Sequence, residues 1–94
     1  MEVEVRHNEG KSRFEAEVDG GVAVADYRRS DGRVAFTHTE VPLPARGHGI
    51  GSALARAAIA WARDEGLEVD PVCPFIAAWL RRNDPSAPTA ETQG

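Results

Sequence analysis

Apolar and polar residues alternate with a period of two over the first part of the chain, as is typical of strands that bury one face. Four such segments follow one another, at residues 2–7, 13–18, 22–29 and 33–41. Short turn sequences separate them, and Asp19-Gly20-Gly21 is a strong hairpin signal. The pattern predicts an antiparallel meander of four strands.

The period changes to that of a helix after Pro42 and Pro44, neither of which can donate a hydrogen bond within a sheet. Apolar residues then recur at helical spacing, and Gly66 is placed as a C-terminal stop. This stripe consists of Ile50, Ala53, Leu54, Ala57, Ala58 and Trp61. The segment is rich in alanine, the best helix former, so a long helix is predicted.

A short fifth strand is predicted over residues 68–72, with Pro71 inside it. Pro74 suits the first position of a second helix, which ends at Asn83-Asp84-Pro85. The apolar stripe of that helix is expected to pack in the core, and it consists of Phe75, Ile76, Trp79 and Leu80.

The order of strand, helix and strand predicts a right-handed crossover, so strands four and five should run parallel. They are expected to diverge after Val41, where Pro42, Pro44 and Pro71 would leave ladder groups unpaired. The predicted fold is therefore α/β (α+β) with a mixed sheet. Strands one to four are antiparallel, strands four and five are parallel, and two helices complete the fold.

Ninety-four residues suffice for one small domain, expected over residues 1–85, with 86–94 as a disordered tail. The net charge of −4 and the lack of a basic run argue against a nucleic acid partner. No apolar run approaches the roughly 20 residues that span a bilayer, and the acidic N-terminus is unlike a signal peptide. We therefore expect a cytoplasmic protein without a membrane partner, as a monomer or weak homodimer. A single cysteine, Cys73, excludes an internal disulfide and a cysteine-rich zinc site, and no metal is expected.

The glycine-rich turn Arg46-Gly47-His48-Gly49-Ile50-Gly51 joins the fourth strand to the long helix. Glycines permit positive φ and a close approach of the backbone to a ligand. Free amides at a helix start, together with the helix dipole, bind anions, and a diphosphate is the natural occupant. The spacing differs from the Rossmann fingerprint and from a P-loop. The alternative for the glycines alone is a tight turn without a ligand.

In this context the turn resembles motif A of the GNAT superfamily of N-acetyltransferases, Arg/Gln-x-x-Gly-x-Gly/Ala, which Arg46, Gly49 and Gly51 match. The resemblance implies that the diphosphate of acetyl-CoA sits on the turn. It also implies that the pantetheine arm enters beside Val41, where strands four and five separate. His48 is placed to touch a phosphate, and Asn83 is a further candidate contact from the last helix.

Two further motifs resemble a compact GNAT-like family of roughly 100 residues, a size that fits one small domain. They are His38-Thr39-Glu40-Val41 at a strand end and Pro71-Val72-Cys73-Pro74-Phe75, and the resemblance covers residues 3–85. A full GNAT domain has two additional N-terminal helices that help to build the acceptor site, and this chain has no room for them. The resemblance therefore implies acetyl-CoA binding more directly than catalysis, and it does not identify the acceptor.

Three residues are candidates for catalysis. Cys73 precedes Pro74 at the N-cap of the last helix, where the helix dipole lowers a thiol pKa, and it could carry an acyl group. The alternative is a small buried hydrophobic residue. His38 and Glu40 share one face of the fourth strand, and either could accept a proton from an amine or from Cys73. Their alternatives are a structural histidine and a solvated edge glutamate.

The leading hypothesis is an acetyl-CoA-dependent N-acetyltransferase that acts on an amine, by direct attack or through an acyl-Cys73 intermediate. The alternatives are a non-catalytic acyl-CoA-binding module and a protein-interaction domain that has lost the ligand. The sequence specifies neither the amine nor the length of the acyl chain.

Overall fold

The computed structural model describes residues 3–83. Its elements are β1 (Arg6–Asn8), β2 (Arg13–Val18), β3 (Gly21–Ser30), β4 (Arg33–Glu40), α1 (Ile50–Asp64), β5 (Glu68–Asp70) and α2 (Pro74–Asn83). Single 3-10 turns follow β1 at Glu9–Lys11 and β4 at Leu43–Ala45. The predicted tail, 86–94, and the end of the predicted domain at residues 84–85 lie outside the described residues.

The five strands form one sheet in the order β1-β2-β3-β4-β5. The first three pairs are antiparallel and β4 pairs with β5 in parallel, which confirms the predicted mixed sheet with two helices. The first strand is shorter than predicted, since β1 begins at Arg6 and not at residue 2. Val3 and Val5 are instead half-buried and pack against the core through their side chains.

The predicted point at which strands four and five separate is wrong. The last ladder pair joins Ala35 to Asp70, and β5 ends there, so Pro71 lies after the strand and not inside it. Pro71 has no N–H to continue the ladder. The N–H of Val72 donates to the Asp70 carbonyl at 3.0 Å, which turns the chain. The two strands therefore separate six residues earlier than expected, and β4 continues toward Glu40 paired with β3 alone.

The core lies between the sheet and the two helices. The largest fully buried side chains are Phe36, Leu54, Ile76 and Val34. Buried alanines on α1, namely Ala55, Ala58 and Ala62, let the helix approach its neighbours closely. The predicted stripes of both helices supply much of this core, while Phe75 is 37% exposed.

A β-bulge interrupts the pairing of β3 with β4. Asp26 pairs with His38, but the next residue, Tyr27, pairs with Phe36. Thr37 is therefore the extra residue on β4, and its Oγ1 donates to the Asp26 carbonyl at 3.5 Å. An extra residue reverses the alternation of the strand beyond it, because successive side chains point to opposite faces.

The reversal decides which side chains at the end of β4 face the core. Thr39 pairs with Ala25, which is fully buried, and so lies on the same face as Phe36. His38 and Glu40 lie on the opposite, outer face, where both are exposed. Regular alternation would have placed these two side chains with Phe36 instead.

No helix among residues 3–83 is long and apolar enough to cross a membrane. Within the same range, no cluster of three or more histidine, cysteine or acidic side chains could hold a metal ion.

Candidate functional site

The turn between β4 and α1 exposes backbone to solvent at two glycines. Gly47 and Gly49 have φ of 86° and 78°, a left-handed conformation that L side chains rarely adopt. A Cβ built on either would meet nothing within 4 Å, so the space beside them is open. Gly49 is the N-cap of α1, and the first turn of this 15-residue helix contains no acidic residue. The turn therefore presents a helix N-terminus suited to an anion.

Gly51 is a glycine for a different reason. A Cβ at this position would lie 2.7 Å from Cζ of Phe75, closer than real Cβ contacts allow. The aromatic ring from the start of α2 thus rests directly on the first turn of α1. The absence of a side chain at Gly51 lets the two helices approach closely at the point where both border the site.

A cleft of about 550 Å³ lies between the end of β4 and the start of α1, and Phe75 of α2 closes part of it. The cleft brings together eight of the predicted site residues: His38, Glu40, Val41, Arg46, Gly47, Gly49, Ile50 and Gly51. Thr39, Ala45, Ser52 and Phe75 complete the lining. The early separation of β5 from β4 leaves this edge of β4 open.

Arg46 stabilises the loop that forms one wall of the cleft. Its Nε donates to the Val41 carbonyl at 2.9 Å, and its backbone N–H donates to the Leu43 carbonyl at 3.1 Å. These bonds connect the end of β4 to the start of the glycine turn. The predicted ligand contacts Arg46 and Val41 are therefore hydrogen-bonded to each other.

Two predicted contacts lie away from the cleft. His48 lines a second cavity of about 460 Å³, together with Glu4, Arg6 and the end of β2. Asn83 Nδ2 donates to the Trp79 carbonyl at 3.0 Å and so caps the last turn of α2. Neither side chain lines the cleft, although Ile50 borders both the cleft and the cavity beside His48.

His38 and Glu40 form a pair on the outer face of β4. His38 Nε2 lies 3.3 Å from Glu40 Oε1, and the two side chains are 57% and 66% exposed. Both border the cleft, where a carboxylate and an imidazole in contact with water can accept a proton.

Cys73 lies behind the cleft wall and is 6% exposed. Its N–H donates to the Phe36 carbonyl at 2.7 Å, and its carbonyl accepts from the N–H of Ala77 at 3.0 Å, as the predicted N-cap residue of α2 would. Its Sγ lies 3.5 Å from Oγ1 of Thr39, which lines the cleft.

Two opposing effects act on the pKa of the Cys73 thiol. Burial raises it. Hydrogen bonds from the Thr39 side chain and from the backbone of Ile76, Phe75 and Thr39 lower it, and together they outweigh burial, so the pKa lies below its ordinary value. The lowered pKa accords with the expected thiolate character. The near-complete burial accords with the alternative of a packed thiol.

Sequence reasoning missed Thr39, Ala45, Ser52 and Phe75 as residues of the cleft. A single extra residue on β4 carries Thr39 to the face of Cys73, and alternation alone could not show it. Phe75 was expected only in the core, but it both packs on Gly51 and borders the cleft. The position of Phe75 directly after Cys73-Pro74 was the feature of the sequence that could have placed it near the site.

Comparisons with known proteins show the family of the chain. The model of the GCN5-related N-acetyltransferase family matches residues 13–88. Protein NATD1 of Gallus gallus is 31% identical over 84 residues, which cover 86% of this chain and 76% of that protein. The matched region contains the sheet from β2 onward, both helices and the whole cleft. The chain therefore belongs to the GCN5-related N-acetyltransferases and is an acetyltransferase by family.

Proposed function

We propose that the protein transfers an acetyl group from acetyl-CoA to an amine, within the cleft between β4 and α1. The observation that carries the proposal is that three features border one cleft. They are the N-terminus of α1, the His38–Glu40 pair, and the Thr39 hydroxyl, which lies 3.5 Å from the Cys73 sulfur. A turn without a ligand would not require this combination.

The glycine turn is the proposed site for the diphosphate of acetyl-CoA. The amides of the first turn of α1 have no partner within the helix, and the open space beside Gly47 and Gly49 admits a phosphate. The acyl arm then runs along β4 beyond Phe36, where β5 has turned away.

Cys73 is the proposed first acceptor of the acetyl group. Its sulfur attacks the thioester carbonyl, a bond forms between Sγ and the acetyl carbon, and the bond to the CoA sulfur breaks. The thiol proton of Cys73 passes to the CoA sulfur, so CoA leaves as a free thiol. One thioester replaces another, and no further reactant is needed.

The amine attacks the acetyl-Cys73 thioester in the second step. The new amide bond forms as the bond to Sγ breaks, and one proton leaves the attacking nitrogen. Glu40 or His38 accepts that proton and releases it to solvent, and the Cys73 thiolate regains a proton from solvent. The exposure of this pair suits an acceptor that enters from solvent.

Intact-protein mass spectrometry after incubation with acetyl-CoA tests the proposal. We expect one acetyl group per chain, removed by hydroxylamine, and absent in Cys73→Ala. Free-thiol release should depend on added amine and fall at least a hundredfold in that variant, because a covalent step loses its nucleophile.

The other outcomes distinguish the alternatives. Turnover at the wild-type rate in Cys73→Ala would mean direct attack, with Glu40 or His38 as the base. Thermal stabilisation by CoA without any thiol release would indicate a non-catalytic acyl-CoA-binding module, because binding alone raises the melting temperature. If CoA neither stabilises the protein nor is released as a free thiol, a protein-interaction domain is the remaining alternative.

A further inference from the structure

Thr39 connects the open cleft with the buried thiol of Cys73. Its side chain lines the cleft, and its Oγ1 lies 3.5 Å from Cys73 Sγ. This contact depends on the bulge at Thr37, which brings Thr39 to the core-facing side of β4. In a regular strand the hydroxyl would point to the opposite face.

The main chain holds Cys73 in one place relative to Thr39. The Cys73 N–H is bound to the Phe36 carbonyl of the same strand that carries Thr39, and the Cys73 carbonyl is bound within α2. Backbone N–H groups of Phe75 and Ile76 approach the sulfur from the first turn of that helix. The Thr39 hydroxyl is the side-chain group that completes this environment on the side of the cleft.

We infer that Thr39 is a positioning residue for acetyl transfer, whose hydroxyl donates a hydrogen bond to the Cys73 thiolate and orients it toward the cleft. In the neutral thiol, the S–H donates to the hydroxyl oxygen. When the thiol loses its proton, rotation about the C–O bond lets the hydroxyl donate instead. The inference rests on the proposed role of Cys73 as the acetyl acceptor.

The lowered pKa of Cys73 supports this assignment, because the Thr39 side chain is the largest of its favourable contributions. Hydrogen bonds to a charged form stabilise it. The ionisable side chains on the surrounding elements are all exposed, namely Arg33, His38 and Glu40 of β4, Arg56, Arg63 and Asp64 of α1, Glu68 and Asp70 of β5, and Arg81 and Arg82 of α2. None of them is among the contributions to the Cys73 pKa.

The test is the pH profile of Cys73 alkylation by iodoacetamide in wild type, Thr39→Val and Thr39→Ser, since the chain has no other cysteine. Valine keeps the branched shape and removes the hydroxyl, while serine keeps the hydroxyl. We expect Thr39→Val to alkylate roughly fivefold more slowly at neutral pH, from the loss of one hydrogen bond. Its rate should rise at higher pH than in wild type and reach the same alkaline plateau. Thr39→Ser should restore most of the neutral rate.

The shape of the profile separates positioning from simple packing. A Thr39→Val profile that coincides with wild type would overturn the inference. A uniform change at every pH, plateau included, would mean altered access to the thiol and would also overturn it.

Acetylation of Cys73 by acetyl-CoA, followed by mass spectrometry in the same variants, separates this inference from the proposed function. An adduct that forms in wild type but about fivefold more slowly in Thr39→Val at neutral pH supports both. If the adduct forms in wild type and forms at the same rate in Thr39→Val, the positioning role of Thr39 is rejected and the proposed function stands. Absence of a wild-type adduct rejects Cys73 as the acetyl acceptor, and with it a role for Thr39 in acetyl transfer, even if the alkylation profile shifts.

Discussion

Two glycines of the same turn are required for different physical reasons. Gly49 adopts a positive φ and faces open space, whereas Gly51 lies in a helix and meets the ring of Phe75. The first position suits a ligand that approaches the backbone, and the second suits contact between helices. Substitutions at the two positions should therefore affect different properties.

Gly49→Glu should abolish detectable binding of CoA in calorimetry, because it places a side chain and a negative charge against the proposed diphosphate site. The matched control is Gly66→Glu, which also has positive φ with nothing within 4 Å but follows the other end of α1. Both changes should cost about 1–2 kcal/mol of stability from left-handed strain. Equal loss of affinity in both variants, or affinity kept in folded Gly49→Glu, would contradict the proposed CoA site.

Gly51→Ala should lower the free energy of unfolding by about 1 kcal/mol, because overpacking against Phe75 outweighs the helix propensity of alanine. Urea denaturation measures the change. The double variant Gly51→Ala/Phe75→Leu should recover stability relative to Phe75→Leu, since the smaller side chain makes room for the methyl group. Greater stability of Gly51→Ala in the wild-type background would show that the ring moves aside freely.

At the scale of elements, an aromatic cluster joins the N-terminal strands to the far end of α1. The His7 ring stacks on the Phe14 ring, with 4.1 Å between the ring centroids. The ring centroid of Trp61 in α1 lies 4.8 Å from those of both His7 and Tyr27. His7 Nε2 and the Tyr27 hydroxyl are 2.6 Å apart. The cluster lies near the opposite end of α1 from the glycine turn, so it can be altered without touching the cleft.

Burial, and secondarily the charge of Glu9, raises the pKa of Tyr27 above its ordinary value. The unfolded chain ionises this phenol near pH 10, before the folded protein does. Its contribution to stability is therefore complete below that pH and is lost as the pH rises through the folded pKa. The chain has one tyrosine, so phenolate absorbance should titrate at higher pH in the folded protein than in urea. Coincident titrations would contradict the buried hydrogen-bonded phenol, and Tyr27→Phe should lack this alkaline loss of stability.

At the scale of the whole molecule, the separation of β5 from β4 opens the sheet where the ligand is proposed to bind. Hydrogen–deuterium exchange with and without CoA tests this placement. We expect CoA to slow exchange in residues 37–52, which include the end of β4 and the glycine turn, and to leave residues 6–18 nearly unchanged, because only the first segment lines the cleft. Protection confined to the cavity beside His48 would place the ligand elsewhere.

The sequence by itself determined the elements, their order and the composition of most of the cleft. Periodicity distinguishes strands from helices because each follows the local geometry of the backbone, and a strand-helix-strand order predicts a parallel pair by chirality alone. The turn from Arg46 to Gly51 is contiguous, so its residues converge whatever the rest of the fold does. His38 and Glu40 were likewise placed on one face by a spacing of two.

Only the tertiary structure decided which groups meet across the cleft. The bulge at Thr37 depends on the register between β3 and β4, and it exchanges the faces of every later residue on the strand. The bulge brings the Thr39 side chain into contact with Cys73, which lies 34 residues further along the chain, and it places His38 and Glu40 on the outer face. The contact of Gly51 with Phe75, the early departure of β5 and the turning of His48 toward a second cavity are likewise non-local. Such contacts depend on packing between distant segments, which local periodicity does not specify.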